Sequence, residues 1–357
     1  MHRAIRLGAA ALAFLTLAPG AHAAPRSRTY WVCVAHEGSG DLTIVDGNTR
    51  RVVATIPLGK RARGVHASPD GRTLFVALRG TPIAGADESH SSTTVAAFPN
   101  GRAEAGPDGI AVVDLAKRRV TRMLPGGSDP TEFAVTADGQ RLFVADAGAG
   151  TVDAVRVRDG RVEHRVRVEN GPEGVSVSPD GRSVYVACGA AGAVSVIDGR
   201  TGEAVGRIDV GGRPRSVAFL PDGSCAFVPS ETEGKLRVID TASRKVTKTL
   251  TLPAGSRPAG VAMRPDGKVL YVTTGAGDAV AVVDPVTETL QGRIEAGEEA
   301  GGAALSPDGR TLYVANGSSN DVSVIDTRTR KETARIRVGQ GPWGVAVVAA
   351  PEARRKR

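Results

Sequence analysis

The chain has 357 residues, a formal net charge of +8, 24% charged residues and only 4% aromatics. Its cations and anions are interspersed, with no basic stripe interleaved with stacking aromatics, so nucleic acid is not an expected partner. Three cysteines, an odd number, do not make a disulfide framework.

At the N-terminus His2, Arg3 and Arg6 precede an apolar run over Leu7–Ala18 and the triplet Ala21-His22-Ala23. That order reads as a secretory signal peptide over residues 1–23, too short to span a bilayer. The mature chain is expected in the periplasm or outside the cell, with no integral membrane span. Cleavage removes Arg3 and Arg6 and lowers the charge to +6. Residues 349–357 form a basic C-terminal tail with Arg354, Arg355, Lys356 and Arg357, read as a frayed terminus.

From Tyr30 onward the chain is one motif repeated. A strand ending in an apolar pair plus Asp recurs at Asp46, Asp114, Asp198, Asp240, Asp284 and Asp326, with Arg156 in the equivalent place of a degenerate copy. The steps between them are 68, 42, 42, 42, 44 and 42 residues, so there are seven repeats, the first step carrying about 26 extra residues. Each repeat holds four short apolar alternations closed by turn signals and no helix-period pattern. The last one reads Leu312–Ala315, Val322–Ile325, Ala334–Val338 and then Val345–Val348. Four strands per unit predict the blade of a β-propeller. The expected fold is all-β: a single seven-bladed β-propeller over residues 29–348.

Expected first strands are Gly64–Ala67, Glu132–Val135, Gly174–Val177, Ser216–Phe219, Gly260–Met263, Gly301–Leu305 and Gly344–Val348. Their small residues suit a crowded axis. The turn after them reads SPDG, TADG, SPDG, LPDG, RPDG and SPDG, with Pro and Gly at the places a type I turn favours. The mature chain opens on a second strand, Tyr30–Ala35, and closes on a first strand, so one C-terminal strand is expected to complete the blade begun by three N-terminal ones. That closure removes the free edges an open array would expose. Trp31 and Trp343 both fall in this blade, and packing at the seam is the expected role of Trp31. Cys33, Cys188 and Cys225 read as buried small apolar residues: Cys188 and Cys225 sit about five residues apart along equivalent strands, roughly 16 Å, too far to bond.

The repeats resemble the YVTN β-propeller family through Tyr271-Val272-Thr273-Thr274, Tyr313-Val314-Ala315-Asn316 and the VSVID strands. Within it, Gly127–Phe133 and the run Asn316–Val348 resemble propellers associated with PQQ-dependent catabolism. That resemblance implies a periplasmic protein made alongside quinoprotein alcohol oxidation; it implies no catalytic residues. Two tryptophans cannot supply the tryptophan-rich docking repeats of the quinoproteins themselves.

Loops before first strands and after second strands emerge on one face of a propeller. The former supply Arg61, Arg63, Asp129, Glu173, Arg213, Arg215, Arg257, Glu299 and Trp343; the latter His36, Glu37, Asp146, Ser230, Thr274 and Asn316. Guanidinium forks suit carboxylates and phosphates, so the arginines at a funnel mouth point to an anionic ligand, against the plainer reading of a solvated mixed-charge rim. The insertion Gly80–Pro107 lies on the same face as a lid or a disordered segment, with Asp87, Glu88 and His90 available as ligands or bases. His36 and His66 are the histidines expected near the axis, as satisfied strand residues; His164 is expected on an outer, solvated strand. No GxSxG, HExxH, Walker, GxGxxG or CxxCH motif occurs.

The expectation is a non-catalytic binding propeller, monomeric, without cofactor or metal. Its ligand or partner surface comprises His36, Arg61, Arg63, Asp129, Glu173, Arg213, Arg215, Arg257 and Trp343, facing a partner protein or a small anion. The rivals are a metal-dependent, lactonase-like hydrolase using His36, Glu37, His66 and His90, and a structural envelope scaffold.

Overall fold

Seven four-stranded antiparallel sheets are arranged around one axis. The structure, a computed structural model, describes residues 29–80 and 108–350. The expected signal peptide, Asp87, Glu88 and His90 of the insertion, and the arginines of the basic tail lie outside the described residues. Among the described residues no helix is long and apolar enough to cross a membrane.

Blade 1 is built as the sequence implies. Its order is Pro342–Ala349, Tyr30–His36, Asp41–Asp46 and Arg51–Pro57, so the C-terminal strand pairs with three N-terminal ones. Blades 2 to 7 follow in chain order, each running from an inner strand outward. Inner strands begin earlier than the apolar pattern suggests in some blades, as at Arg61–Ala67, and later in others, as at Ala218–Phe219 and Val261–Met263.

Alternation explains the layering. In the strand Asp321–Asp326 every residue but the last is buried, because the third strand of a blade is sandwiched between neighbouring blades. The outer strand Lys331–Arg337 alternates exposed and half-buried positions, with one wet face. The apolar clusters therefore sit between blades: Val32, Val34 and Val45 of blade 1 pack with Tyr313, Val322 and Val324 of blade 7. That seam is fastened by polar contacts too, with the Tyr30 and Tyr313 hydroxyls 2.8 Å apart and Tyr313 donating to Gly47 O.

The recurrent Asp after each third strand has a local reason. Asp46 Oδ1 accepts from the backbone N–H groups of Asn48 and Thr49, closing the hairpin to the outer strand. In the degenerate copy Arg156 instead forks onto Asp159, whose carboxyl is held down to about 2 by that bond. The PDG turns use the same device: Asp70 accepts from Ser68 Oγ and Arg72 N, and Gly71 takes φ 66°.

Two expectations need correction. Cys33 and Cys188 are buried free thiols, but Cys225 is only half-buried at the start of its strand. His164 is not solvated: it is half-buried against Gly202 of the next blade, where even a methyl group would collide with its ring.

Candidate functional site

The entry to each inner strand has a three-layer rhythm that decides which candidates reach the axis. Gly64, Glu132, Gly174, Ser216, Gly260, Gly302 and Gly344 occupy equivalent positions around the axis. Two residues before them stand Ala62, Pro130, Pro172, Pro214, Pro258, Ala300 and Pro342, all buried. Proline here has its φ already fixed and keeps the preceding residue extended. The flanking residues therefore project away from the interblade packing. One layer, immediately before the axial position, is Arg63, Thr131, Glu173, Arg215, Ala259, Gly301 and Trp343. The other, two residues further out, includes Arg61, Asp129, Arg213, Arg257 and Glu299 on the open rim.

The glycines are there because the axis is crowded with backbone. A Cβ on Gly302 would stand 2.2 Å from Trp343 O, one on Gly344 2.2 Å from Arg63 O, and one on Gly174 2.4 Å from Arg215 O. Where a hydroxyl residue replaces the contact, it bonds the neighbour: Ser216 Oγ donates to Ala259 O at 2.7 Å and Thr131 Oγ1 to Pro172 O at 3.2 Å. Glu132 is the single ionisable side chain at this level. Its Oε1 lies 2.8 Å from His66 Nε2 of blade 2 and also accepts from Phe133 N.

Inside this ring lies a cavity of about 190 Å³ lined by all seven blades. Arg63 and Arg215 stand at its mouth, with guanidinium carbons 4.2 Å and 5.6 Å from the centroid of the Trp343 ring system. Both side chains are largely shielded, 15% and 12% exposed. Burial holds the Arg63 guanidinium below its usual range; Glu37 opposes that shift, while Arg79 and Arg215 reinforce it. Beside the mouth a wider groove of about 520 Å³ opens over blades 5 to 7, where Ala259 and Gly301 leave room between Arg257 and Glu299.

The arginines are paired, which the sequence reading did not anticipate. Glu173 accepts from Arg213 through Nε and Nη2 at 2.9 Å and 2.6 Å and faces Arg215 Nη1 at 2.6 Å. Glu231 Oε1 accepts from Arg257 Nη2 at 2.9 Å, and its Oε2 lies 3.6 Å from Arg215 Nη1, buried and without a hydrogen-bond partner. Arg63 pairs with Glu37 at 3.2 Å and Arg79 with Asp129 at 3.2 Å. The cluster of Arg213, Arg215 and Arg257 thus keeps one net positive charge. Glu231 was findable: it follows Ser230 as Glu37 follows His36, and it opens a short 3-10 turn, Glu231–Glu233. His66–Glu132 was not signalled as a pair.

Of the post-strand residues named from the sequence, Glu37 reaches the mouth, at Arg63, and the others do not form the rim. His36, Asp146, Ser230, Thr274 and Asn316 are buried. They tie each loop down from below. His36 Nδ1 lies 2.6 Å from Asp41 Oδ1 and its Nε2 accepts from Gly339 N, so the ring belongs to blade 1 rather than to the axis. Asp146 gathers the N–H groups of Ser128, Asp129, Gly148 and Ala149. Arg61 is exposed on the rim opposite Arg79 in register. Trp31 is half-buried against the blade 1–2 core, with the Arg118 guanidinium 5.4 Å from its ring.

Fold and funnel together define a seven-bladed propeller with an axial cavity. The YNCE-like β-propeller family matches residues 75–267, and the chain belongs to that family. Three solved structures show how widely the fold is shared. Hydrazine synthase from Kuenenia stuttgartiensis superposes with a TM-score of 0.66 at 23% identity, over 82% of this chain and 90% of its own. A functionally unknown protein from Desulfotomaculum acetoxidans gives 0.72 at 14% identity, over 90% and 99%. A putative 6-phosphogluconolactonase from Bacteroides uniformis gives 0.70 at 19% identity, over 90% and 100%. No curated protein matches the chain.

Proposed function

We propose that the chain is an exported, non-catalytic binding propeller that takes a small organic anion at its axial mouth. One observation carries this reading: two shielded guanidiniums, Arg63 and Arg215, converge on one indole, Trp343, above a cavity. Gathering like charges away from water is unfavourable: burial first, and then Arg79 and Arg215, hold the Arg63 guanidinium below its usual range. A carboxylate set between them relieves that repulsion and meets planar donor forks, while the indole covers its apolar part. The outer residues Arg61, Asp129, Arg213 and Arg257 would then select what approaches, including a partner protein.

The apolar N-terminal run and its cleavage triplet support a periplasmic or extracellular setting. The motifs of residues 127–133 and 316–348 support a role accessory to PQQ-dependent alcohol catabolism. The hydrolase rival has weaker support. Among the described residues no three His, Cys, Asp or Glu side chains are gathered to hold a metal, and His36 and His66 serve separate structures.

Titration calorimetry of the mature protein with butyrate tests the reading. Wild type should bind, and Arg63→Gln and Arg215→Gln should each weaken binding about tenfold, the worth of one charge-assisted hydrogen bond. Undetectable binding of small carboxylates to the wild type, or full affinity in both variants, would overturn it.

A further inference from the structure

The cavity has two chemically different ends. Its mouth carries Arg63 and Arg215; at the level of the axial glycines it carries Glu132. In the other six blades that position is Gly or Ser, so Glu132 is the one carboxylate on an axis otherwise built to exclude side chains. Room for it exists because blade 2 places Gly64 opposite: a Cβ there would stand 2.3 Å from Glu132 Oε1. His66 likewise stands where blades 3 to 7 and blade 1 have Ala or Ser, and its ring packs edge-on against Phe133 with centroids 4.9 Å apart.

The carboxylate is only half engaged. Oε1 takes both described bonds, from Phe133 N and at His66 Nε2, and no described bond reaches Oε2. Glu132 is 30% exposed, and its one ionic partner is an imidazole, which compensates it only when protonated. The arginines at the mouth have Glu37, Glu173 and Glu231 as their carboxylate partners and do not pair with Glu132. An acceptor with an unengaged oxygen therefore faces the lumen below two cationic forks.

Resting on the carboxylate reading above, we infer that the ligand is a small amino acid-like zwitterion. Its carboxylate sits at Arg63 and Arg215, and its ammonium is recognised by Glu132, with His66 holding that carboxylate in place. An ammonium is the group whose charge and three donors match an unengaged carboxylate oxygen. The volume agrees: 190 Å³ is about six waters at the liquid density of ~30 Å³ each, enough for a ligand of this size.

The test compares butyrate, 2-aminobutyrate, 4-aminobutyrate and butylamine by calorimetry on the mature protein. At least one aminobutyrate should bind wild type about tenfold tighter than butyrate. Glu132→Gln should abolish that preference, so that neither aminobutyrate binds that variant tighter than butyrate does. His66→Gln, which keeps a donor to Glu132, should retain most of it. Butyrate binding as tightly as both aminobutyrates in the wild type would overturn the inference yet leave the carboxylate reading standing; this arm needs no variant to fold. A preference that survives Glu132→Gln would also overturn it, making the His66–Glu132 pair a strut between blades. Failure of every carboxylate to bind would remove the carboxylate reading and this inference together.

Discussion

Arg215 reaches across the axial mouth to Trp343, three blades further round the ring, bringing its guanidinium to 5.6 Å from the indole centroid. The span is open because the two intervening blades place Ala259 and Gly301 at the same level. Arg63, from the blade on the other side of Trp343, comes closer still at 4.2 Å. Trp343 is thus the meeting point of two cations held on rigid strand entries, and the carboxylates around them set how much charge a ligand meets.

Glu173 is the main brake on that charge, since it occupies both Arg213 and Arg215. Glu173→Gln should raise butyrate affinity about three- to tenfold at low salt. The gain should shrink in 0.5 M NaCl, where screening is shorter-ranged. Calorimetry at two salt concentrations measures both effects.

The axial glycines set the stability of the ring. Gly302→Ala would drive a methyl group into Trp343 O and should cost about 2–3 kcal/mol in urea unfolding. Gly150 has φ 65° with open space around it, so Gly150→Ala should cost only the left-handed backbone term of about 1–2 kcal/mol.

His36 ties the closing blade together through Asp41 and Gly339. The equivalent residue of blade 7, Asn316, donates to Asp321 in the same way at 2.7 Å. His36→Ala strands Asp41 and should cost about 2–4 kcal/mol, because a buried network loses one partner. His36→Asn, copying blade 7, should recover at least half of that loss in the same unfolding assay.

The turn aspartates link stability to acid. Ser68 Oγ and then Arg72 N hold the Asp70 carboxyl below its usual range; Thr136 and Gln140 do so for Asp138, and Ser178 and Arg182 for Asp180. A depressed folded pKa stabilises the protein above the unfolded value of about 3.9, and that contribution is lost as pH falls through the folded value. The urea midpoint should therefore drop as pH falls below about 4. Asp138→Asn should lower the midpoint at pH 6 and converge on wild type as Asp138 becomes protonated.

The blades were legible because their determinants are local. Period-2 apolar runs, Asp-capped hairpins and PDG turns recur at a fixed spacing, and Tyr30 and Val348 declare which strands the closing blade lacks. The inner entries were half legible: Arg63, Arg215 and Trp343 could be placed on the mouth from their repeat position. What they pair with depends on side-chain reach between blades, so Glu231 and the His66–Glu132 pair did not show. His36, Ser230, Thr274 and Asn316 looked like rim residues because they end strands. They are buried, and their polar atoms bond within the blade ends: His36 and Asn316 to the carboxylates of Asp41 and Asp321, Ser230 to Val210 O and Thr274 to Ala279 O. Cys225 looked buried by its apolar neighbours but begins a strand, where packing is thinner.

The most direct test uses Trp343 as its own reporter. With Trp31→Phe, Trp343 is the only tryptophan in the chain, sitting between Arg63 and Arg215. Titrating that variant with butyrate should shift Trp343 emission saturably, and the shift should vanish when Arg63→Gln and Arg215→Gln are added together. An emission spectrum that stays unchanged at saturating butyrate, or the same saturable shift without the two arginines, would contradict a carboxylate seated at this mouth.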